Sequence, residues 1–375
     1  MVTTNRSPAP LDAGLDLPWV ESPFFAELLP QQGLTAEEER QAKLFHERGY
    51  LIVEDAFSSE LVDRVRATIA PLFRPDAVDP RKSPNRFQDA WRDHPAVREM
   101  ATDPGIFALL RRLYGRQPVP FQTLNFQRGT EQRAHSDTIH FNVVPRGYMC
   151  GVWVALEDVG PDNGTLYYYP GSNRLPDYDF NDLGLRYLNP NRLDVLEHHT
   201  YDDYDRYEDF VERLMGTHGL VREELSARRG SALIWAAGLV HGGGRIRDPA
   251  STRWSQVTHY YFADCLYYVP MLSNRVTGDV YLKRVTDVTS GELVPHRYYG
   301  MTLPEIQADG IYKLYFDVDG GGAEAIRLIS NREVKHLAEE NQSLAATLRA
   351  VKRSPSHRLA RLMTAPGRAL RCLLR

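Results

Sequence analysis

The tripeptide His135-Ser136-Asp137 puts an imidazole and a carboxylate two positions apart, at the start of a segment that reads as a β-strand. Residues i and i+2 of a strand project to the same face, so the two side chains converge. A third ligand is available from His241, which follows the apolar run Ala232–Ala236 and precedes Gly242-Gly243-Gly244. Two histidines and one carboxylate make a facial triad, a donor set that suits Fe(II) and leaves one face of the ion open. Zinc is more often closed in a tetrahedron or left with a single open position. Arg253 follows at the head of the next strand, with Ser255 on the same face. A fixed guanidinium takes a carboxylate in bidentate fashion, so a metal and that arginine would grip both ends of a dicarboxylic oxo-acid such as 2-oxoglutarate. His140 falls on a different parity from the ligands and is expected in a pocket or structural role.

Positioning these groups requires a β-rich frame. Thr35 with Glu38 forms a capping box that starts a helix through about His46, and Gly49 ends it. Tyr50–Val53 reads as a short buried strand. Ser58-Ser59-Glu60 opens a second helix with Leu61, Val65 and Ile69 on one stripe, and a third is expected from His94 to Tyr114. From about Val119 short strand-like runs follow one another at Phe121–Phe126, Thr138–Val143, Gly151–Leu156, Thr165–Tyr169, Ala232–Ala236, Gln256–Phe262 and Val280–Val285. Turn signals such as Pro161-Asp162-Asn163-Gly164 and Pro170-Gly171-Ser172-Asn173 separate them. Many short strands without intervening helices indicate a sandwich rather than a parallel α/β sheet. The fold class expected is mainly β with flanking helices: a double-stranded β-helix (jelly roll, cupin-like) core, a helical insertion as lid, and a C-terminal helical tail. The insertion, residues 176–228, carries Tyr201, Tyr204 and Tyr207 among many carboxylates. It reads either as a lid over the barrel mouth or as a solvated acidic helix.

Composition bounds the rest. With 375 residues, 42% of them hydrophobic, the chain can bury a sizeable core and is not a disordered polymer. Lys plus Arg against Asp plus Glu gives 45 − 49 = −4, so no bulk positive charge points to nucleic acid. Three cysteines, Cys150, Cys265 and Cys372, fit a reducing compartment better than a disulfide scaffold. Ala232–Val240 is the longest apolar run, about half of what a bilayer requires. A cytoplasmic location is expected.

Residues 1–34, rich in Pro, Gly and small polar residues, read as a loosely ordered N-terminal arm. The catalytic domain is expected over 35–300 and a β/linker extension over 301–330. Residues 331–375 form a tail in two parts. Val334, Leu337, Asn341, Leu344, Leu348 and Val351 make a short a/d seam, which would pair two copies of the chain through 331–353. From Asn341 onward there are eight Lys or Arg residues and no acids. That basic amphipathic stretch suits either a peripheral contact with the inner face of a membrane or an acidic partner, or it packs on its own acidic domain.

In order along the chain, Phe45-His46-Glu47-Arg48-Gly49-Tyr50-Leu51-Ile52-Val53, Arg133-Ala134-His135-Ser136-Asp137, Trp153-Val154-Ala155-Leu156-Glu157-Asp158, Asn163-Gly164-Thr165-Leu166, Pro170-Gly171-Ser172-Asn173, Leu233-Ile234-Trp235, His241-Gly242-Gly243 and Thr252-Arg253-Trp254-Ser255 match a known pattern. With these motifs the chain, over roughly residues 40 to 270, resembles the phytanoyl-CoA dioxygenase family of Fe(II)/2-oxoglutarate-dependent oxygenases. The resemblance implies that His135, Asp137 and His241 ligate iron and that Arg253 anchors the 5-carboxylate of 2-oxoglutarate, with O2 as the second cosubstrate. It implies a place for Trp153 in the cosubstrate pocket, though a core aromatic on a buried strand would look the same. Asn125 and Ser255 are further candidates for that pocket. Asn173 stands where the family usually has histidine. Halogenating relatives replace the acidic ligand with a small residue, so the retained Asp137 favours hydroxylation.

The expected reaction is hydroxylation of a C–H bond of a small molecule, with release of succinate and CO2. Tyr167-Tyr168-Tyr169 and the Tyr- and carboxylate-rich insertion offer stacking faces and hydroxyl acceptors, which point to a sugar-containing or glycan precursor. An acyl-CoA or other metabolite processed by desaturation or epimerisation, and a non-catalytic jelly-roll binding module, stand as alternatives.

Overall fold

The computed structural model describes residues 16–75, 79, 81–83, 86–185, 200–298, 300–318, 324–330 and 343–344. The heptad seam and basic tail, apart from residues 343–344, lie outside the described residues.

The first third of the chain supplies helices and three short strands. They are α1 (Phe25–Leu28), α2 (Ala36–Arg48), β1 (Tyr50–Val53), α3 (Ser59–Ile69), the short β2 (Lys82–Ser83) and β3 (Arg86–Gln88), α4 (Pro95–Ala101) and α5 (Pro104–Tyr114). The capping box at Thr35 is present: its hydroxyl accepts from the Glu38 N–H while the Glu38 carboxylate accepts from the Thr35 N–H. Gly49 closes α2 in the left-handed region, at φ 78°. The single helix expected over His94–Tyr114 is two helices. Pro104 cannot continue a hydrogen-bonded turn, and Asp103 caps a new one by accepting from the Ile106 N–H.

The β elements follow: β4 (Pro118–Phe126), β5 (Asn142–Val144), β6 (Met149–Ala155), β7 (Leu166–Tyr168), helix α6 (Thr200–Thr217), β8 (Glu223–Glu224), β9 (Ala232–Ala236), β10 (His241–Gly243), β11 (Ser255–Phe262), β12 (Leu266–Tyr268), β13 (Val280–Leu282), β14 (Arg297–Tyr298), β15 (Met301–Thr302), β16 (Gly310–Val318) and β17 (Glu324–Ser330). A seven-stranded antiparallel sheet has the order β1-β9-β6-β11-β4-β3-β2, and a three-stranded sheet the order β10-β7-β8. A five-stranded sheet, β17-β16-β13-β12-β5, flanks them.

Period-two alternation gives the large sheet two different faces. Val152, Val154, Tyr260 and Phe262 point outward and pack with Val62, Val65, Ile69, Leu110 and Leu113 of α3 and α5. Each such fully buried aliphatic side chain contributes roughly 1.5–3 kcal/mol by leaving water. Leu124, Phe126, Trp153, Leu233, Trp235 and Val257 point inward and meet Tyr168 of the small sheet. The molecule is thus mainly β with helices on one outer face, and the inner face of the large sheet forms one wall of the site.

Two expectations change. Residues 16–34 are not a loose arm: Trp19, Val20, Phe25 and Leu29 are buried in the main core, and the Trp19 indole N–H bonds the Arg112 carbonyl at 2.9 Å. Sparse aromatic anchors outweigh a loop-like composition there. Residues 138–143 are not one strand, because Asp137–Ile139 form a 3-10 turn and the strand begins only at Asn142. No helix among the described residues is long and apolar enough to cross a membrane.

Candidate active site

The triad is assembled by a backbone contact. His135 and His241 form an isolated antiparallel bridge in which each N–H bonds the other's carbonyl at 3.0 Å. The chain then turns at Asp137, whose carbonyl accepts from the N–H of His140 and of Phe141. That turn, rather than the strand alternation expected from sequence, brings the Asp137 carboxylate under the two imidazoles. Glycine makes the bridge possible. A Cβ on Gly242 would lie 2.5 Å from the Tyr167 hydroxyl, and one on Gly243 would lie 2.8 Å from Thr130 Oγ1.

One ligand atom from each of His135, Asp137 and His241 lies within 4.8 Å of the others. His135 Nε2 and His241 Nε2 are 4.0 Å and 3.9 Å from Asp137 Oδ1. Both Nδ1 atoms face backbone carbonyls, Arg133 at 2.9 Å and Leu239 at 3.0 Å, so each Nδ1 carries the proton and each Nε2 presents a lone pair to the centre. Asp137 Oδ2 accepts the Trp235 indole N–H at 2.8 Å, which leaves Oδ1 for a metal. Gly151 makes room for that indole, since a Cβ there would sit 2.2 Å from the ring.

The electrostatics suit a cation. Burial pushes His135 down to about 3, with the neighbouring His241 adding to the fall, so the imidazole is neutral at any ordinary pH. Burial works against the Asp137 carboxylate, yet the surrounding imidazoles and the Trp235 N–H hold it below the usual aspartate range. Two imidazole nitrogens and one anionic oxygen therefore converge, with no lysine or arginine paired to Asp137 among the described residues. The chemistry of this donor set fits a divalent iron ion.

Arg253 lies on the same wall and is 2% exposed. Its guanidinium donates to the Gly164 carbonyl at 3.2 Å, sits near the Phe126 and Trp153 rings, and has no carboxylate partner among the described residues. Burial lowers it to about 10, still charged at neutral pH. Arg253 Nε, Trp153 Nε1 and Ser255 Oγ are all buried without a hydrogen-bond partner. Unmet buried donors beside an unpaired buried cation fit an absent anionic ligand such as a carboxylate.

Asn125 does not join this group. The register pairs it with Gln256, and its amide donates to Gln256 Oε1 at 3.2 Å. That is the outward face, where Gln256 reaches the Val97 carbonyl and Tyr260 the Ala101 carbonyl. One residue of strand parity separates it from Leu124 and Phe126, which face the site.

Other residues escaped the sequence reading. His259 continues the inward set Ser255, Val257, and its Nε2 is 3.8 Å from Asp137 Oδ2 while Nδ1 bonds Gln122 Oε1 at 3.0 Å. Counting alternate residues from Arg253 would have found it. Trp235 was visible as a motif residue, but its bond to Asp137 was not. His140, expected in a pocket, gives its Nδ1–H to the Met271 sulfur at 3.2 Å and accepts the Tyr204 hydroxyl on Nε2 at 2.9 Å. Helix α6 therefore touches the site, and its carboxylates are not simply a solvated face: Glu208 is 6% exposed and lies 3.6 Å from Arg133.

A barrel wall bearing a two-histidine, one-carboxylate cluster and a buried arginine defines a class: metal-dependent enzymes that take an oxo-acid cosubstrate. The family model for phytanoyl-CoA dioxygenase matches residues 45–253, more than half of the chain, and the chain belongs to that family. Members of that family are Fe(II)- and 2-oxoglutarate-dependent oxygenases, and His135, Asp137 and His241 form a cluster of the kind such an enzyme uses to hold iron. Phytanoyl-CoA dioxygenase domain-containing protein 1 of Mus musculus is 34% identical over 101 residues, covering 26% of this chain and 35% of that protein. The chain thus spans about a third of the length of the first curated relatives it matches. Ectoine dioxygenase of Sphingopyxis alaskensis is 26% identical over 227 residues, 54% of this chain and 69% of that protein. Among solved structures, the α-ketoglutarate-dependent carbocyclase SnoK from nogalamycin biosynthesis aligns with a TM-score of 0.48 and 19% identity, over 63% of this chain and 87% of that one.

Proposed function

We propose that this protein is an Fe(II)/2-oxoglutarate-dependent dioxygenase that hydroxylates a C–H bond of a sugar-containing small molecule or glycan precursor and releases succinate and CO2. The observation that carries the reading is Arg253: a buried guanidinium without a carboxylate partner among the described residues, on the wall that also bears the triad.

His135 and His241 would hold iron through Nε2 and Asp137 through Oδ1, with the backbone bridge and the Trp235 N–H fixing their orientation. When bound, iron and 2-oxoglutarate supply the activation of O2 that C–H oxidation requires. Arg253 would take the distal carboxylate of the cosubstrate in a bidentate pair, and the Trp153 and Ser255 donors would meet its remaining oxygens. Leu124, Phe126, Trp153 and Val257 make that end of the pocket dry, which strengthens the ion pair. Helix α6, held by Arg133 to Asp209 at 2.6 Å and to Glu212 at 3.0 Å, would serve as the lid that keeps water out. Tyr204 reaches towards the triad through its hydrogen bond to His140.

Polar groups beside the triad support a polyol-like substrate: the Tyr204–His140 pair and Gln132, whose amide nitrogen lies 3.3 Å from His135 Nε2. The test is formation of succinate from 2-oxoglutarate with Fe(II) and ascorbate, screened against nucleotide sugars, glycolipids and acyl thioesters, with product masses recorded. A substrate gain of one oxygen atom, lost in the Asp137→Ala variant, is expected. Succinate formation that persists undiminished in Asp137→Ala would refute the ligand assignment.

A further inference from the structure

The two sides of the site are charged differently. On the α6 side, the Arg133 guanidinium is neutralised by Glu208, Asp209 and Glu212. On the opposite side stand two cations with no such partner. Arg86, on β3, has no side-chain hydrogen bond or ion pair among the described residues. Phe87 is 1% exposed in the outer core, so strand alternation turns Arg86 to the other face, that of Gln88 and its cross-strand neighbour Leu124. This is the inner wall that also carries Gln122 and His259.

Lys283, which follows β13, is half-buried and likewise has no acidic partner among the described residues. Its carbonyl accepts the His296 Nε2–H at 3.0 Å, which fixes the backbone. Its ammonium lies 5.7 Å from the centre of the Phe141 ring. That ring is 5.1 Å from His259 and 6.1 Å from His140. Arg86 projects from the same inner wall, on which Gln122 and His259 stand.

Lys283 thus stands beside Phe141, and Arg86 rises from the wall that carries His259. Asp137 is committed to the metal cluster, and Asp309 accepts the Arg284 backbone N–H. Gln122 offers a further amide donor there, since its Oε1 is taken by His259. A cationic rim of this kind in a chain of net charge −4 attracts anions locally and orients them.

We propose that this flank is a subsite for an anionic group of the substrate, a carboxylate or a phosphate ester, held by Arg86 and Lys283 beside the Phe141 ring. The inference rests on the oxygenase reading only in calling that molecule the substrate. Anchoring one end of the molecule at these cations leaves its neighbouring carbons over the triad, so Arg86 and Lys283 select the position oxidised as well as the compound accepted.

The test uses the full chain loaded with Mn(II) and saturating 2-oxoglutarate, so that Arg253 is occupied and no turnover occurs. It is titrated calorimetrically with phenyl phosphate, with benzoate and with neutral benzamide. At least one anion should bind tenfold or more tightly than benzamide, and the tighter of the two identifies phosphate or carboxylate as the preferred group. Arg86→Gln and Lys283→Gln should each remove that preference, while Arg228→Gln, an exposed change elsewhere, should keep it. Benzamide binding as well as both anions, or full anion preference in both variants, would overturn the subsite. Substrate-independent succinate formation with Fe(II), measured on the same proteins, is expected to be unchanged by Arg228→Gln. Loss of succinate in every protein, wild type included, would refute the oxygenase reading while leaving the anion preference to stand or fall by calorimetry.

Discussion

His135 and His241 exchange both of their backbone hydrogen bonds, each 3.0 Å long, so two ligands far apart in sequence are locked together before any metal arrives. The third ligand is locked differently, by one hydrogen bond from Trp235 to Asp137. A site built this way is preorganised by backbone geometry on one side and by a single side chain on the other.

The Trp235→Phe variant therefore tests the weaker side. It keeps an aromatic ring, smaller than the indole, in the inner core and removes the N–H that fixes Asp137. Metal affinity, followed by titration with Fe(II) under anaerobic conditions or with Mn(II), should fall roughly 10–100-fold, the usual cost of losing such an outer hydrogen bond. Unchanged affinity would show that Asp137 needs no such support.

Gly151→Ala perturbs the same bond from behind. The added methyl group would lie 2.2 Å from the Trp235 ring, far inside contact distance, and Trp235 is buried against other rigid groups. Overpacking of this kind costs about 1–3 kcal/mol, and denaturant titration should show it, together with weaker metal binding. A variant as stable as wild type would mean that the indole can move freely.

Arg253→Met separates cosubstrate from metal. The unbranched side chain fills much the same space without charge or donors. Mn(II) affinity should stay within a few-fold of wild type, whereas the affinity for 2-oxoglutarate should fall by two orders of magnitude or more, as truncating one partner of a buried, hydrogen-bonded ion pair costs about 2–5 kcal/mol. Equal losses for both ligands would contradict the division of labour.

Helix α6 should loosen as pH rises. Burial lifts Glu208 to about 7, against the pull of Arg133, and Asp205, Glu212 and Asp209 push in the same direction as burial. A carboxyl whose value is raised in the folded state adds its full docking stability below its unfolded value near 4.5. That contribution is lost as pH climbs through about 7. Amide exchange in α6, corrected for the intrinsic pH dependence, should become faster between mildly acidic and mildly alkaline buffer. Glu208→Gln should flatten that rise, and a flat profile in the wild type would count against it.

Much of this was readable in the residues themselves. Thr35 with Glu38, Ser58 and Gly49 act within one helical turn, and local chemistry of that range is visible in sequence. The triad was legible because His135-Ser136-Asp137 and His241-Gly242-Gly243 are compact, and Arg253 because its motif neighbours surround it. Asn125 was assigned to the wrong face because strand parity cannot be carried across a loop from His135 to β4 without the register, which only pairing with Gln256 fixes. His259 was overlooked although it shares the strand face of Arg253 and Ser255, because its partners Gln122 and Asp137 come from distant segments. The arm at residues 16–34 misled because four buried side chains decide its place, while its many prolines and polar residues set its composition.

The central claim is that His135, Asp137, His241 and Arg253 form one composite site for iron and 2-oxoglutarate. Anaerobic absorption spectroscopy tests it directly. Fe(II) bound at the triad and chelated by 2-oxoglutarate should give a visible metal-to-ligand charge-transfer band that needs both components, disappears in Asp137→Ala, and in Arg253→Met appears only at much higher 2-oxoglutarate. No band with both components present, or a band of full strength in Asp137→Ala, would contradict the account.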